Sequence, residues 1–185
     1  MFSRYKFSVT LRDGSTMKVR PIRPDDDVKL LDLYHRLSNR SLYNRFLTVP
    51  VPDPSKAAYL AHVDYHNHFA LVGEVGEVGK APGKIIAVAR YFRVGGHPDR
   101  AEAAFTVADD YQGQGIGQRM LALLSRVASE QGITTLEGHV LAQNRPMMKM
   151  LLRSGFGLSR RVESGVFLVS LSLDPAPCPR SSMET

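Results

Sequence analysis

Three observations predict a mixed α/β single domain. The chain has 185 residues, 43% of them apolar, which fits one domain with one sizeable core. Strand-like stretches with alternating or continuous apolar residues lie at the start, in the middle and at the end. Between them stand helical-period stretches bounded by Pro, Asp, Asn and Gly where helices start and stop.

Taken in order, "FSVTLRDGSTMKVRPI" alternates around Asp13-Gly14, a hairpin signal. Pro24 and three aspartates suit a helix N-terminus, with Val28, Leu31, Tyr34 and Leu37 following at helical spacing. Ser38 or Asn39 should interrupt that helix, and Ser41 to Leu47 suit another. Pro50, Pro52 and Pro54 mark a loop before a short helix in "SKAAYLAHV". "HFALVGEV" and "KIIAVARYFRV" read as strands joined by a flexible connector, "GEVGKAPG". "AEAAFTVA" is a third strand. A helix follows whose face carries Ile116, Met120, Leu123, Leu124 and Val127 and which stops at Gly132. "ITTLEGHV" is a strand, "NRPMMKMLLRSGF" a helix, and "FGLSRRVESGVFLVSLSL" two strands around Ser164-Gly165. The domain is expected over residues 1–173, with a disordered Pro-rich tail over 174–185.

Composition bounds the partners. The net charge of +6 favours anionic ones: nucleic acid, phosphorylated cofactors or acidic protein faces. The basic residues are scattered, there is no Trp, and no RNA-binding aromatic signature is present, so nucleic acid is not expected. No apolar run approaches a membrane span and the N-terminus has no apolar signal region, which predicts a cytoplasmic protein without a membrane contact. Cys178 is the only cysteine, so no intrachain disulfide can form.

The residues that carry chemistry centre on "YQGQGIG". A strand, a Gly-rich turn and a helix form an anion receptor, because the helix N-terminus presents unpaired N–H groups and a positive dipole end. Glycine lets a phosphate approach them without meeting a Cβ. The P-loop is excluded, since Gln118-Arg119 follows Gly117 where Lys-Ser/Thr is needed. The dinucleotide fingerprint is excluded too, since the glycines fall at the first, third and fifth places. Glu137 at a ribose-binding distance is then a coincidence. A strand-to-helix corner that binds nothing stays open. His62, Asp64, His66 and His68 crowd one stretch, but a turn followed by a strand need not converge them, and no metal site is expected. Met147, Met148 and Met150 suit core packing, and Arg90, Arg93, Arg160 and Arg161 solvated surface, with anion steering the alternative for Arg90 and Arg93.

Gln112-Gly113-Gln114-Gly115-Ile116-Gly117 matches the Q/R-x-x-G-x-G/A motif of the GNAT superfamily of N-acetyltransferases. "NRPMMKMLLRSGF" resembles that family's later helix. "RPIRPDDDVKLLDLYHRLSNRSLYNRF", "VDYHNHFALV" and "AEAAFTVADDYQGQGIG" resemble the acetyltransferase domain of bacterial Pat-type protein lysine acetyltransferases, with coverage from Leu11 to Leu173. The resemblance implies a central, mostly antiparallel twisted sheet with a splayed parallel strand pair and flanking helices. It implies that Gln112 to Gly117 hold the coenzyme A pyrophosphate. It assigns Phe105, Thr106 and Val107 to the acetyl and pantetheine groups, Asn144 to positioning of acetyl-CoA, and Glu102 to the general base. Many family members carry a Tyr that protonates the thiolate; here that position is Leu151, and the resemblance to Pat-type domains, which lack this Tyr, implies no dedicated general acid.

Amine chemistry independently needs a base. Lysine loses its proton near pH 10.4, so attack at pH 7 needs help with about three pK units, or ~4 kcal/mol. Alternation along the strand puts Glu102 on one face with Ala104, Thr106 and Ala108, a row of small residues where a substrate side chain fits. The competing reading is an exposed or ion-paired strand glutamate. The expected activity is acetyl transfer from acetyl-CoA to a primary amine by direct attack, with a protein lysine the preferred acceptor. Alternatives are a small-molecule amine and a non-catalytic acyl-CoA-binding module. The chain is expected as a monomer or homodimer. It is too short for the regulatory domain that Pat-type enzymes often carry, so control by a fused domain is not expected. Substrate-facing loops are expected around Arg36 to Tyr43 and Val162 to Phe167.

Overall fold

A computed structural model describes residues 5–76 and 83–173. The tail, Cys178 and most of the "GEVGKAPG" connector lie outside the described residues. Strand β1 (Phe7–Thr10) turns through Leu11 to Ser15 into β2 (Thr16–Pro21). Helices α1 (Asp27–His35), α2 (Asn39–Phe46) and α3 (Pro54–Ala61) follow. Then come β3 (His68–Val75), β4 (Lys84–Val94), β5 (His97–Val107) and α4 (Ile116–Glu130). The chain closes with β6 (Thr135–Leu141), α5 (Arg145–Leu152), β7 (Gly157–Glu163) and β8 (Val166–Ser172). All eight strands form one sheet in the order β1-β2-β3-β4-β5-β6-β8-β7. The order of elements is the expected one, and Ser164-Gly165 turns the last hairpin with both residues at positive φ, 48° and 80°.

The middle of the sheet is the core. Phe69 to Val72 and Ile85 to Ala89 are buried on both faces, which explains why these strands read as continuous apolar runs. Arg90 on β4 donates to Leu60 O in α3, whereas Arg93, on the opposite face, donates to Gln131 O at the end of α4. So α3, with α1 and α2, covers one face of the sheet, and α4 covers the other.

Two expected helix faces are corrected. In α1 the buried residues are Leu30, Leu33 and Tyr34, with Leu37 just beyond, while Val28 is 72% exposed. The i, i+3, i+4, i+7 set starting at Leu30 is the complete apolar stripe. In α4, Leu121 rather than Leu123 is fully buried, with Ser125 also inside. The aspartates before α1 do more than favour its dipole. Asp26 is buried and takes both guanidinium nitrogens of Arg20 at 2.6 and 2.7 Å plus the Arg23 N–H. Burial works against its ionisation, but these donors outweigh it and hold the carboxyl below the usual range. Glu74 joins Arg20 and Lys29 to the same network, which ties β2, β3 and α1 together.

Arg90 is likewise corrected: it is 1% exposed rather than solvated. Its Nη1 lies 3.1 Å from His68 Nε2. A guanidinium only donates, so Nε2 must accept and the imidazole is neutral. His68 also stacks on Phe92 at 3.9 Å between ring centres. Burial, with the Arg90 charge, pushes its pKa down to about 4. The folded value lies below the unfolded one of about 6.5, so between the two the unfolded chain binds the extra proton. This stability is therefore complete above about pH 6.5 and drains as pH falls toward 4. Urea denaturation should show it as a loss of about 2–3 kcal/mol between pH 7 and 4.5 that His68→Gln largely abolishes. Equal pH dependence in both proteins would contradict the assignment.

Candidate active site

The site begins where a strand pair stops. β5 runs antiparallel to β4 along most of its length, but it pairs in parallel with β6 only at Arg100, Ala101 and Glu102, opposite Thr135, Leu136 and Glu137. Beyond Glu102 the two strands part, because β6 follows β8 instead. At the point of parting a Cβ on Gly138 would stand 3.3 Å from Ala103 O, tighter than most side-chain contacts. Asp99 O accepts from Thr134 N on the β6 side, and Ala108 N donates to Ile86 O on the β4 side. Alternation then directs the main-chain groups of Ala103 and Phe105 into the fork and those of Thr106 onto β4.

The fork encloses a cavity of about 230 Å³. Glu102, Ala104 and Phe105 line it from β5, His139 and Val140 from β6, Arg45 and Phe46 from α2, Leu121 from α4, and Met147 and Leu151 from α5. Leu151 is buried, so an apolar side chain occupies the position where a family Tyr would bring a hydroxyl. Glu102 keeps 58% of its side chain exposed, with Oε1 3.7 Å from His139 Nδ1. Neighbouring Glu137 is held by Arg100 at 3.0 Å. Arg45 lies over the Phe46 ring, and its guanidinium pKa is lowered by burial against the opposing pull of Tyr34 and Glu102.

The glycine turn stands at the far end of β5, about five strand residues or ~17 Å beyond Glu102. Asp109 fastens it: its carboxylate accepts from Ser38 N, Ser38 Oγ and Ser41 Oγ at 2.6–3.0 Å. Burial opposes its charge, yet the Ser41 and Ser38 donors hold its carboxyl below the usual range. Gln112 Nε2 reaches Ser41 Oγ and Val107 O, and Gln114 reaches Asp110 O, so both glutamine side chains brace the turn. Gly113 and Gly115 stand at φ 73° and 82°. Ile116 is buried and Gly117 lies against Met150.

Helix starts differ in a telling way. Ser38, Asp53 and Asn144 each cap a helix with a side chain that accepts a backbone N–H. α1 and α4 start without a side-chain cap; α1 continues directly from a 3₁₀ turn (Pro24–Asp26), whereas α4, the longest described helix, starts on Gly115 after the glycine turn, so its first N–H groups are open to an anion. Asn144 itself is buried, with its oxygen engaged by Met147 N.

The structure thus brings Glu102 and Phe105 into the cavity and puts Gln112 to Gly117 beyond the far end of β5, outside the cavity lining, while Thr106 and Asn144 are occupied by the fold. Arg45 and His139 were missed. Alternation in "TLEGHVL" puts His139 on the face of Glu137, but only the β5–β6 register brings it to Glu102. From the α2 region, Asn44 to Leu47 line the cavity rather than 36–43. In the histidine-rich stretch, Asp64 accepts from the backbone N–H groups of His66, Asn67 and His68. No described helix is long and apolar enough to cross a membrane.

A forked sheet with a glycine turn leading into an uncapped helix sets an apolar cleft beside an anion-binding helix start. The acetyltransferase (GNAT) family matches residues 36–156, and the chain belongs to that family. It is 36% identical over 167 residues to acetyltransferase Pat of Mycolicibacterium smegmatis, covering 90% of this chain and 49% of that protein. It thus spans about half the length of that relative. It is 30% identical over 148 residues to an acetyltransferase of Pseudomonas aeruginosa, covering 80% of this chain and 78% of that one. The crystal structure of the GNAT domain of S. lividans PAT superposes with a TM-score of 0.80 at 33% identity, covering 92% of this chain and 98% of that domain.

The turn makes a stability prediction free of function. A Cβ at position 115 meets open space, but its left-handed backbone costs any L side chain roughly 1–2 kcal/mol. A Cβ at 117 meets only the flexible Met150 sulfur at 2.9 Å, and alanine gains helix propensity there. Gly115→Ala should therefore lower the melting temperature while Gly117→Ala leaves it nearly unchanged; the reverse order would contradict the geometry.

Proposed function

We propose that this chain transfers the acetyl group of acetyl-CoA to a primary amine, with a protein lysine the preferred acceptor. The observation that carries the reading is the pairing of an uncapped helix start with a base-bearing cavity at opposite ends of one half-free strand. Acetyl-CoA has the matching shape: phosphates at one end, a flexible arm, and a thioester at the other. The phosphates suit the open N–H groups from Gly113 to Gly117. The arm suits the main-chain groups of Phe105, beyond the last β5–β6 pair, running back ~17 Å along β5.

Glu102 serves as the base, directly or through water. Glu102 takes one ammonium proton and frees a lone pair, the N–C bond forms, the C–S bond breaks, and the second nitrogen proton passes to the departing sulfur or to water, leaving the amide and the thiol. The thiolate is a tolerable leaving group, with an ordinary thiol pKa near 8.5, which fits an apolar Leu151 where no hydroxyl donor stands. The exposed mouth beside Glu102 suits a long side chain presented by another protein. The resemblance to Pat-type protein lysine acetyltransferases favours the same acceptor.

Two measurements test this. Glu102→Gln should lower turnover at least roughly tenfold while acetyl-CoA affinity stays nearly unchanged; unchanged turnover removes the assignment. Labelled acetyl-CoA incubated with a cell lysate should put label into protein, whereas label confined to small molecules would redirect the acceptor.

A further inference from the structure

We propose that Arg45 stabilises the negative charge that forms on the thioester oxygen during transfer. The inference rests on the acetyl-transfer reading above and leaves the base role with Glu102. Arg90 pairs with Ala104 across β4 and β5, so Glu102, two residues earlier, shares the sheet face that α2 covers. Arg45, in the last turn of α2, lines the cavity from that side together with Glu102. It is half-buried, with its guanidinium 4.6 Å from the centre of the Phe46 ring. The other described arginines that are buried or half-buried each have an oxygen partner. Arg20 takes Asp26, Arg36 takes Asp32 and Ile85 O, Arg90 takes Leu60 O, and Arg93 takes Gln131 O. Among the described residues Arg45 has neither a carboxylate nor a carbonyl as partner. A guanidinium can only donate, and a cation drawn out of water without an acceptor is costly. Since Arg45 lines the cavity, an oxygen of the reacting groups is the acceptor within its reach.

Charge movement during the reaction assigns the role. Before transfer, the Glu102 carboxylate is the negative group whose field reaches Arg45. Glu102 then takes one ammonium proton, the freed lone pair forms the N–C bond, and the carbonyl electron pair moves onto oxygen. Negative charge has thereby passed from Glu102 to the thioester oxygen, and the guanidinium is left facing the new charge. A fixed cation in a site shielded from water stabilises such a charge far more than it could in solvent. When the electron pair on oxygen returns, the C–S bond breaks. The second nitrogen proton passes to the departing sulfur, directly or through water, leaving the amide and the thiol. Leu121, Val140, Met147 and Leu151 line other parts of the wall, and their side chains hold no hydrogen-bond donor. The two reacting groups give Arg45 no other use, because the acetyl methyl is apolar and the lysine ammonium is a like charge.

The test follows label transfer from acetyl-CoA to lysate protein by wild type, Arg45→Ala, Arg45→Gln, Arg45→Lys and Glu102→Gln. The rate at saturating acetyl-CoA and the acetyl-CoA affinity are measured separately in each. Arg45→Ala and Arg45→Gln should lose roughly 10²–10³-fold in rate with affinity unchanged. Arg45→Lys, which keeps the charge but not the planar fork of donors, should lose less than either. Guanidinium ion at a non-denaturing concentration should restore part of the Arg45→Ala rate and none of the Glu102→Gln rate, a rescue that a packing role would not allow. Rates within about threefold of wild type in Arg45→Ala and Arg45→Gln overturn the proposal. So does a loss that guanidinium leaves untouched, or one that falls on acetyl-CoA affinity alone. If Glu102→Gln is inactive while the Arg45 variants are not, the acetyl-transfer reading survives without Arg45. If wild type transfers no label, both fall.

Discussion

The architecture depends on one unfinished strand pairing. β5 is bound to β4 along most of its length but to β6 through only three residue pairs. A buried main-chain N–H or C=O without a partner is costly, so an interrupted ladder must be finished some other way. Gln112 finishes part of it by donating to Val107 O. Ala103 O and the main-chain groups of Phe105 are left facing the fork, where an extended ligand can serve as the missing strand. Apolar side chains from α4 and α5 close one side of the gap and the end of α2 closes the other. The cavity is thus a product of strand register, and Gly138 keeps its narrow end from being forced wider.

A second constraint fixes what stands at the open end. Asp109 binds the start of α2 to the segment after β5, and Gln112 links the same hydroxyl of Ser41 to the strand end. One carboxylate therefore couples the helix that walls the cavity to the turn that begins α4. The Arg20, Asp26, Glu74 and Lys29 network performs a similar task at the remote side, where α1 meets β2 and β3. At that remote side the Asp26 charge is buried only with its partners, as the cost of burying an ion alone requires. Arg90 differs: it is fully buried on carbonyl and imidazole acceptors, and His68 stays neutral to serve it.

The strand and helix sequence was legible because its signals were local. Asp13-Gly14 and Ser164-Gly165 mark turns, Pro24 and Pro146 mark helix starts, and the glycine turn stands out by spacing, whereas Pro54, read as loop, opens α3. Helix faces were less legible, since the α1 sequence holds two overlapping apolar sets and only packing against the sheet selects Leu30, Leu33 and Tyr34. The cavity was half legible. Glu102 and Phe105 belong to the strand that feeds the turn, so they follow from it. His139 and Arg45 reach the same space through the β5–β6 register and the packing of α2 on β5. Neither long-range relation has a signature in "LEGHV" or "LYNRF". The buried state of Arg90 was hidden for the same reason, because its acceptors come from α3 and β3.

The central claim is that the half-free edge of β5 and the uncapped start of α4 form one continuous binding surface for acetyl-CoA. Residue-resolved amide hydrogen exchange with and without acetyl-CoA tests it most directly. Slowed exchange at Phe105 and Gly113 to Gly117, together and in proportion to ligand occupancy, is the predicted result. Unchanged exchange at these amides, with protection instead in the groove that Arg145, Lys149 and Arg160 line between α5 and the β7–β8 hairpin, would contradict the account.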